Sequence, residues 1–81
     1  MSKDEIFARV SEVLVETFDV EPDRIQPATH LIDDLDLDSI DLIDLVVRLE
    51  EETGLDLAED ELRKLRLIQD VVDLVYHKLD L

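Results

Sequence analysis

The 81 residues suffice for one domain, 1–81, and leave little room for a second. Eight Lys and Arg stand against 23 Asp and Glu, a formal charge of −15, which repels nucleic acid and anionic lipid and directs attention to basic protein partners. Apolar residues make up 46% of the chain, the core material that acidic disordered tails lack, and the absence of cysteine removes disulfides and thiolate metal sites.

The chain opens on Ser2-Lys3-Asp4-Glu5 without the apolar stretch of a secretory signal. No apolar run approaches the roughly 18 residues of a membrane span, so a soluble cytoplasmic monomer is expected. Ile6, Val10, Val13, Leu14 and Phe18 recur at helical spacing and predict a first helix over Lys3–Phe18, capped by Ser2, with Asp4 and Glu5 complementing its dipole. Pro22 and Pro27 interrupt any helix between Asp19 and Asp38. That stretch is a long connection, which Val20, Ile25, Leu31, Ile32 and Leu35 are expected to pin to the core. A second helix is predicted over Ser39–Thr53, stopping at Gly54, the sole glycine. A short helix around Glu59–Lys64 follows, then a last one over Ile68–Leu79 with Ile68, Val71, Val72, Val75 and Leu79 on one face. The fold class is therefore all-α: a small antiparallel bundle of three longer helices and one short helix, with a long loop between the first and second.

The second helix carries the informative chemistry. Asp38 can cap it, with Asp41 three residues on in a capping-box position, so the Ser39 hydroxyl is not required for capping. A helix start of this kind favours an attached phosphate, although a serine there is also an ordinary second cap. Leu42, Leu45, Val46 and Leu49 form a core stripe, and Ile40, Ile43 and Val47 fall on an adjacent face. Either both stripes are buried, or the second is a half-exposed docking patch steered by surrounding carboxylates.

Other candidates carry less. Asp34, Asp36 and Asp38 have the alternate spacing of a calcium loop, but Ser39 stands where its glycine belongs and Leu45 where its bidentate glutamate belongs. No metal site is expected. His30 and His77 lack spaced ligand partners and read as ordinary surface or loop residues. Phe7 and Tyr76 fit helix flanks or core, and Arg63, Lys64 and Arg66 read as offsets to nearby acids. Nothing assembles a nucleophile, base and oxyanion site, so no enzyme is expected.

The run Asp34-Leu35, then Asp38-Ser39-Ile40, Asp41, Leu45 and Leu49-Glu50-Glu51-Glu52 resembles the attachment motif of discrete acyl carrier proteins, and the similarity extends over nearly the whole chain. The resemblance implies a 4'-phosphopantetheine arm, moved from coenzyme A onto Ser39 by a phosphopantetheinyl transferase, with Asp38 as the motif acid. It implies partner docking through Ile40, Asp41, Ile43, Asp44, Val47, Arg48, Glu50 and Glu51. The expected partners are ketosynthases, acyltransferases and other acyl-processing enzymes with basic surfaces. It implies an acyl pocket or core formed by Leu31, Leu42, Leu45, Val46, Leu49 and Leu62, and a role in fatty acid or related lipid or polyketide synthesis. The chain departs from the family pattern at Asp36, where Gly is usual, at Ile40, where Leu is usual, and at Arg48 within an acidic helix. Arg66-Leu67-Ile68 lacks the usual Thr cap of the last helix. These departures suggest a carrier dedicated to one pathway. The alternatives are a peptidyl or aminoacyl carrier, and an unmodified acidic bundle that binds a basic protein.

Overall fold

A computed structural model describes residues 2–79. Its elements are α1 (Lys3–Phe18), a 3-10 turn (Pro22–Arg24), α2 (Ser39–Thr53), α3 (Glu59–Leu62) and α4 (Ile68–Leu79). The expected helices therefore form, with α3 ending at Leu62 rather than Lys64 because Arg63 and Lys64 continue as a turn. α1 packs against α4 and α2, and α3 packs against α2.

Local chemistry fixes each end. Ser2 and Glu5 form a reciprocal capping box, in which the Glu5 N–H donates to Ser2 Oγ at 3.2 Å and the Ser2 N–H donates to Glu5 Oε1 at 3.2 Å. The Ser2 N–H, together with the Ser2 hydroxyl that donates to Glu5 Oε1 at 3.1 Å, holds the Glu5 carboxyl below the usual carboxylate range. α1 closes on Asp19 at φ 57, a left-handed position that a short acidic side chain tolerates. α2 closes on Gly54 at φ 73, whose N–H donates to the Glu50 carbonyl at 2.8 Å.

The core forms where the apolar faces meet. Ile6, Val10 and Leu14 of α1, Leu45, Val46 and Leu49 of α2, and Ile68, Val71, Val72 and Val75 of α4 are all at most 2% exposed. Ile25, Leu31, Leu35 and Leu37 of the long connection join them, and Val20 packs at the edge. Ile32 does not join: it is 41% exposed, a correction to its expected role as a pin. It lies in a single helical turn whose buried face is already taken by Leu31 and Leu35.

The long connection is a structured scaffold. Buried Thr29 donates its hydroxyl to the Arg24 carbonyl and accepts the Gln26 N–H, both at 2.9 Å. Arg24 reaches across through Nη2 to the Asp34 carbonyl. His30 is more than the ordinary loop residue expected, since its Nδ1 accepts the Ile32 and Asp33 N–H groups at 3.2 and 3.1 Å and so caps the turn over 31–35. Its own N–H donates to Asp34 Oδ2 at 2.7 Å.

The connection also supplies what α4 lacks. Leu67 has no capping side chain, yet the Ile68 N–H donates to the Thr29 carbonyl at 3.0 Å and the Gln69 N–H to the Pro27 carbonyl at 2.9 Å. Asp70 Oδ2 accepts the Arg66 and Leu67 N–H groups at 3.0 and 2.9 Å, which completes the start of the helix.

Candidate functional site

The site begins with the start of α2. Asp38 is its N-cap: Asp38 Oδ1 accepts the Asp41 N–H at 2.8 Å, and Asp41 Oδ2 accepts the Asp38 N–H at 3.2 Å. The capping box read from the sequence is thus present in both directions. Ser39 follows as the first helical residue, exposed, and its hydroxyl has no hydrogen-bond partner among the described residues. The first N–H groups and the positive end of the α2 dipole lie beside it, a setting that accommodates an ester-linked phosphate.

Asp36 explains one departure from the family pattern. It has φ 57, the left-handed backbone that glycine adopts most readily and aspartate tolerates. The Asp36 N–H donates to the Ile32 carbonyl at 2.9 Å and the Leu37 N–H to the Leu31 carbonyl at 3.3 Å, which closes the turn and aims the chain at the Asp38 cap. Asp36 thus stands in a backbone conformation suited to glycine. These contacts also count against a calcium loop, because the Asp34 and Asp38 carboxylates accept backbone N–H groups of their own turns.

The apolar residues of α2 divide into two stripes. Leu42, Leu45, Val46 and Leu49 are buried at 9, 0, 2 and 1% exposure, whereas Ile40, Ile43 and Val47 are 74, 52 and 43% exposed. Asp41 and Asp44 are half-buried beside the exposed stripe, and Glu51 is exposed. Arg48 pairs with Asp44 at 3.4 Å, so its charge is balanced one turn away on its own helix. Glu50, expected among the docking residues, has one oxygen engaged within the fold: its Oε2 accepts the Leu57 N–H at 2.8 Å and ties α2 to the following connection.

A cavity of about 430 Å³ opens between α2 and α3, lined by Ile32, Ser39, Leu42, Ile43, Leu62, Arg63, Leu65 and Arg66. That size falls in the range of small-molecule sites. Leu42 and Leu62, both expected in an acyl pocket, line it. Leu31, Leu45, Val46 and Leu49 do not; they sit in the closed core, where helix–helix packing fills the space around them. Sequence reasoning missed Ile32, Leu65, Arg63 and Arg66 as lining residues. The placement of Arg63, Leu65 and Arg66 depends on the turn after α3 folding back toward α2, and that of Ile32 on the long connection, neither of which spacing along the chain records.

The assignment to offset acids fails for Arg66. Its Nη1 donates to the Arg63 carbonyl at 2.7 Å and the Leu65 carbonyl at 3.0 Å, and it makes no ion pair among the described residues.

No helix among the described residues is long and apolar enough to cross a membrane. The phosphopantetheine attachment-site family matches residues 8–75. An acyl carrier protein of Petrotoga mobilis is 37% identical over 81 residues, covering all of this chain and 95% of the relative. Acyl carrier protein 2 of Ralstonia nicotianae is 39% identical over 75 residues, 93% of each chain. The crystal structure of a Thermotoga maritima acyl carrier protein superposes with a TM-score of 0.87 at 30% identity, covering 99% of this chain and 93% of that one. Fold, site geometry and these similarities agree: the chain belongs to the acyl carrier protein family, non-enzymatic carriers that work through a covalently attached 4'-phosphopantetheine and interact with a phosphopantetheinyl transferase and acyl-processing enzymes.

Proposed function

We propose that Ser39 is the residue that bears the arm, and that the exposed stripe of α2 presents it to partner enzymes. The observation that carries this reading is the division of labour at the helix start. Asp38 and Asp41 complete the cap between themselves, which leaves the Ser39 hydroxyl exposed and without a hydrogen-bond partner among the described residues. A serine engaged as the cap would have to give up an N–H bond on modification, at about 1 kcal/mol. Here no such loss arises.

When attached, the arm's terminal thiol holds acyl groups as thioesters. The protein's own residues supply position. α2 holds Ser39 in the lining of the cavity, and Leu42, Leu62 and Leu65 offer apolar surface to a chain that turns inward. Ile40, Ile43 and Val47, with Asp41, Asp44 and Glu51 around them, form an apolar patch with an acidic fringe. That pattern suits ketosynthases, acyltransferases and transferases with basic entry surfaces, because rim charges raise the encounter rate and the apolar centre supplies affinity. We infer service in fatty acid synthesis or a related lipid or polyketide pathway.

Incubation with coenzyme A and a broad-specificity phosphopantetheinyl transferase, read by intact mass, tests the assignment. The chain should gain the mass of one phosphopantetheine, and Ser39→Ala should gain nothing. A gain that survives Ser39→Ala would place the arm elsewhere.

A further inference from the structure

Cations are scarce in this molecule, and most are matched with acids or backbone carbonyls. Lys3 pairs with Asp73 at 3.1 Å, Arg9 with Glu52 at 3.8 Å, Arg48 with Asp44 at 3.4 Å and Lys78 with Glu61 at 2.9 Å. Arg24 holds the Asp34 carbonyl. Arg66 is likewise held by backbone carbonyls, and it lines the same cavity as Ser39 together with Arg63.

The guanidinium of Arg66 is held in a particular way. Nη1 is engaged by two carbonyls, those of Arg63 and Leu65, so the group is fixed to the turn after α3. Arginine offers five N–H donors in a planar fork. With Nη1 anchored, the edge formed by Nε and Nη2 remains, and that edge matches two oxygens of a carboxylate or phosphate. A fixed fork loses less side-chain freedom on gripping an anion than a mobile lysine would. Around it, Ile32, Leu42, Ile43, Leu62 and Leu65 give the cavity an apolar lining against which the methylenes of an acyl chain can rest.

We propose that Arg66, with Arg63 beside it, forms an oxyanion-holding subsite for the group carried at Ser39. The shared ligand chemistry is an anionic pair of oxygens on the arm. Its two sources are a carboxylate at the far end of a dicarboxylic acyl group and the arm's own phosphodiester. This rests on Ser39 bearing the arm. If the carboxylate is the source, the cavity selects acyl groups by their terminal charge, and Arg66 is a specificity determinant. If the phosphodiester is the source, Arg66 positions the arm over the cavity and offsets the nearby carboxylates of Asp38 and Asp41.

The test uses the full chain in five forms: apo, holo, hexanoyl-loaded and adipoyl-loaded wild type, and adipoyl-loaded Arg66→Gln, each loaded form verified by intact mass. The first readout is the Arg66 Nε–H resonance. The second is the rate of thioester hydrolysis, compared between wild type and variant carrying the same acyl group so that intrinsic reactivity cancels. A carboxylate source predicts a shifted Nε–H in the adipoyl form alone, with adipoyl hydrolysis about two- to fivefold slower in wild type than in Arg66→Gln, the span of an exposed to half-exposed ion pair. A phosphodiester source predicts that the Nε–H shifts on conversion from apo to holo and stays there whatever the acyl group. Either result supports the subsite. An Nε–H that is unmoved across fully loaded forms overturns it while leaving the arm in place, and needs no variant to be folded. Failure of the mass to rise removes the arm, and the subsite falls with it.

Discussion

Ile43 and Leu45 lie two residues apart on α2, and their environments set opposite outcomes for the same substitution. Ile43 is 52% exposed and Leu45 is fully buried. Ile43→Asp keeps the charge in water, so stability should change by less than about 0.5 kcal/mol, while turnover of the loaded carrier by a partner enzyme should fall roughly tenfold if the exposed stripe is the docking centre. Leu45→Asp places an unpaired carboxylate in the core and should abolish the cooperative thermal transition. Circular dichroism melts and partner kcat/KM on the two variants check this pair, and equal unfolding would return Ile43 to the core. Gly54 gives a cleaner backbone test. An added Cβ would meet nothing within 4 Å, so Gly54→Ala isolates the cost of the left-handed φ of 73. The expected loss is about 1 kcal/mol, read as a shift in the denaturant midpoint without a change in slope.

Among the elements, α4 shows how the long connection contributes to stability. Its first N–H groups are taken by the Thr29 and Pro27 carbonyls, and the Asp70 carboxylate holds the two N–H groups just before the helix. Asp70→Ala should therefore cost about 1 kcal/mol, with hydrogen exchange accelerating first at Arg66 and Leu67. Asp70→Asn, which keeps an acceptor oxygen, should recover much of it. This arrangement also marks where sequence reading reached its limit. The bounds of α1, α2 and α4 were legible because periodic apolar residues and local caps lie within a few positions of one another, as at Ser2 and Glu5 or Asp38 and Asp41. The two stripes of α2 were legible as a question, since spacing separates Ile43 from Leu45 without saying which face is covered. The part of the α4 cap made by Thr29 and Pro27 was not legible, because these acceptors lie some forty residues upstream and are backbone carbonyls, which every residue possesses, whereas Asp70 is a local acceptor that the reading passed over. Arg66 was misread for a related reason: the carbonyls that fix it are invisible to a reading that matches charges along the chain.

At the scale of the whole molecule, two electrostatic effects oppose each other. Lys3–Asp73 and Lys78–Glu61 join α4 to α1 and α3, and Asp73 and Glu61 are held below the usual carboxylate range, Asp73 chiefly by the Gln69 amide and Glu61 chiefly by Lys78. An acid whose pKa is lowered by folding contributes stability at neutral pH, and that contribution fades as pH falls below about 4. The gap in melting temperature between wild type and Asp73→Asn should accordingly be open at pH 7 and narrow as acidification protonates the carboxylate. Against these few pairs stands the net charge of −15 on a molecule of 31 × 24 × 20 Å, whose short axis is only about two Debye lengths at 0.1 M salt. Exposed pairs each contribute at most about 1 kcal/mol and weaken with salt, whereas repulsion acts among all the excess carboxylates at once. Repulsion should win. Raising sodium chloride from low to physiological concentration should stabilise the fold by about 1 kcal/mol, or roughly 4–8 °C in Tm for a domain of this size. Calcium or magnesium at millimolar levels should do so at far lower ionic strength, because a divalent ion screens neighbouring carboxylates together. A Tm that stays flat or falls with salt would show that the cross-helix pairs dominate, and Lys78→Met would then be the substitution that lowers stability most among the surface variants.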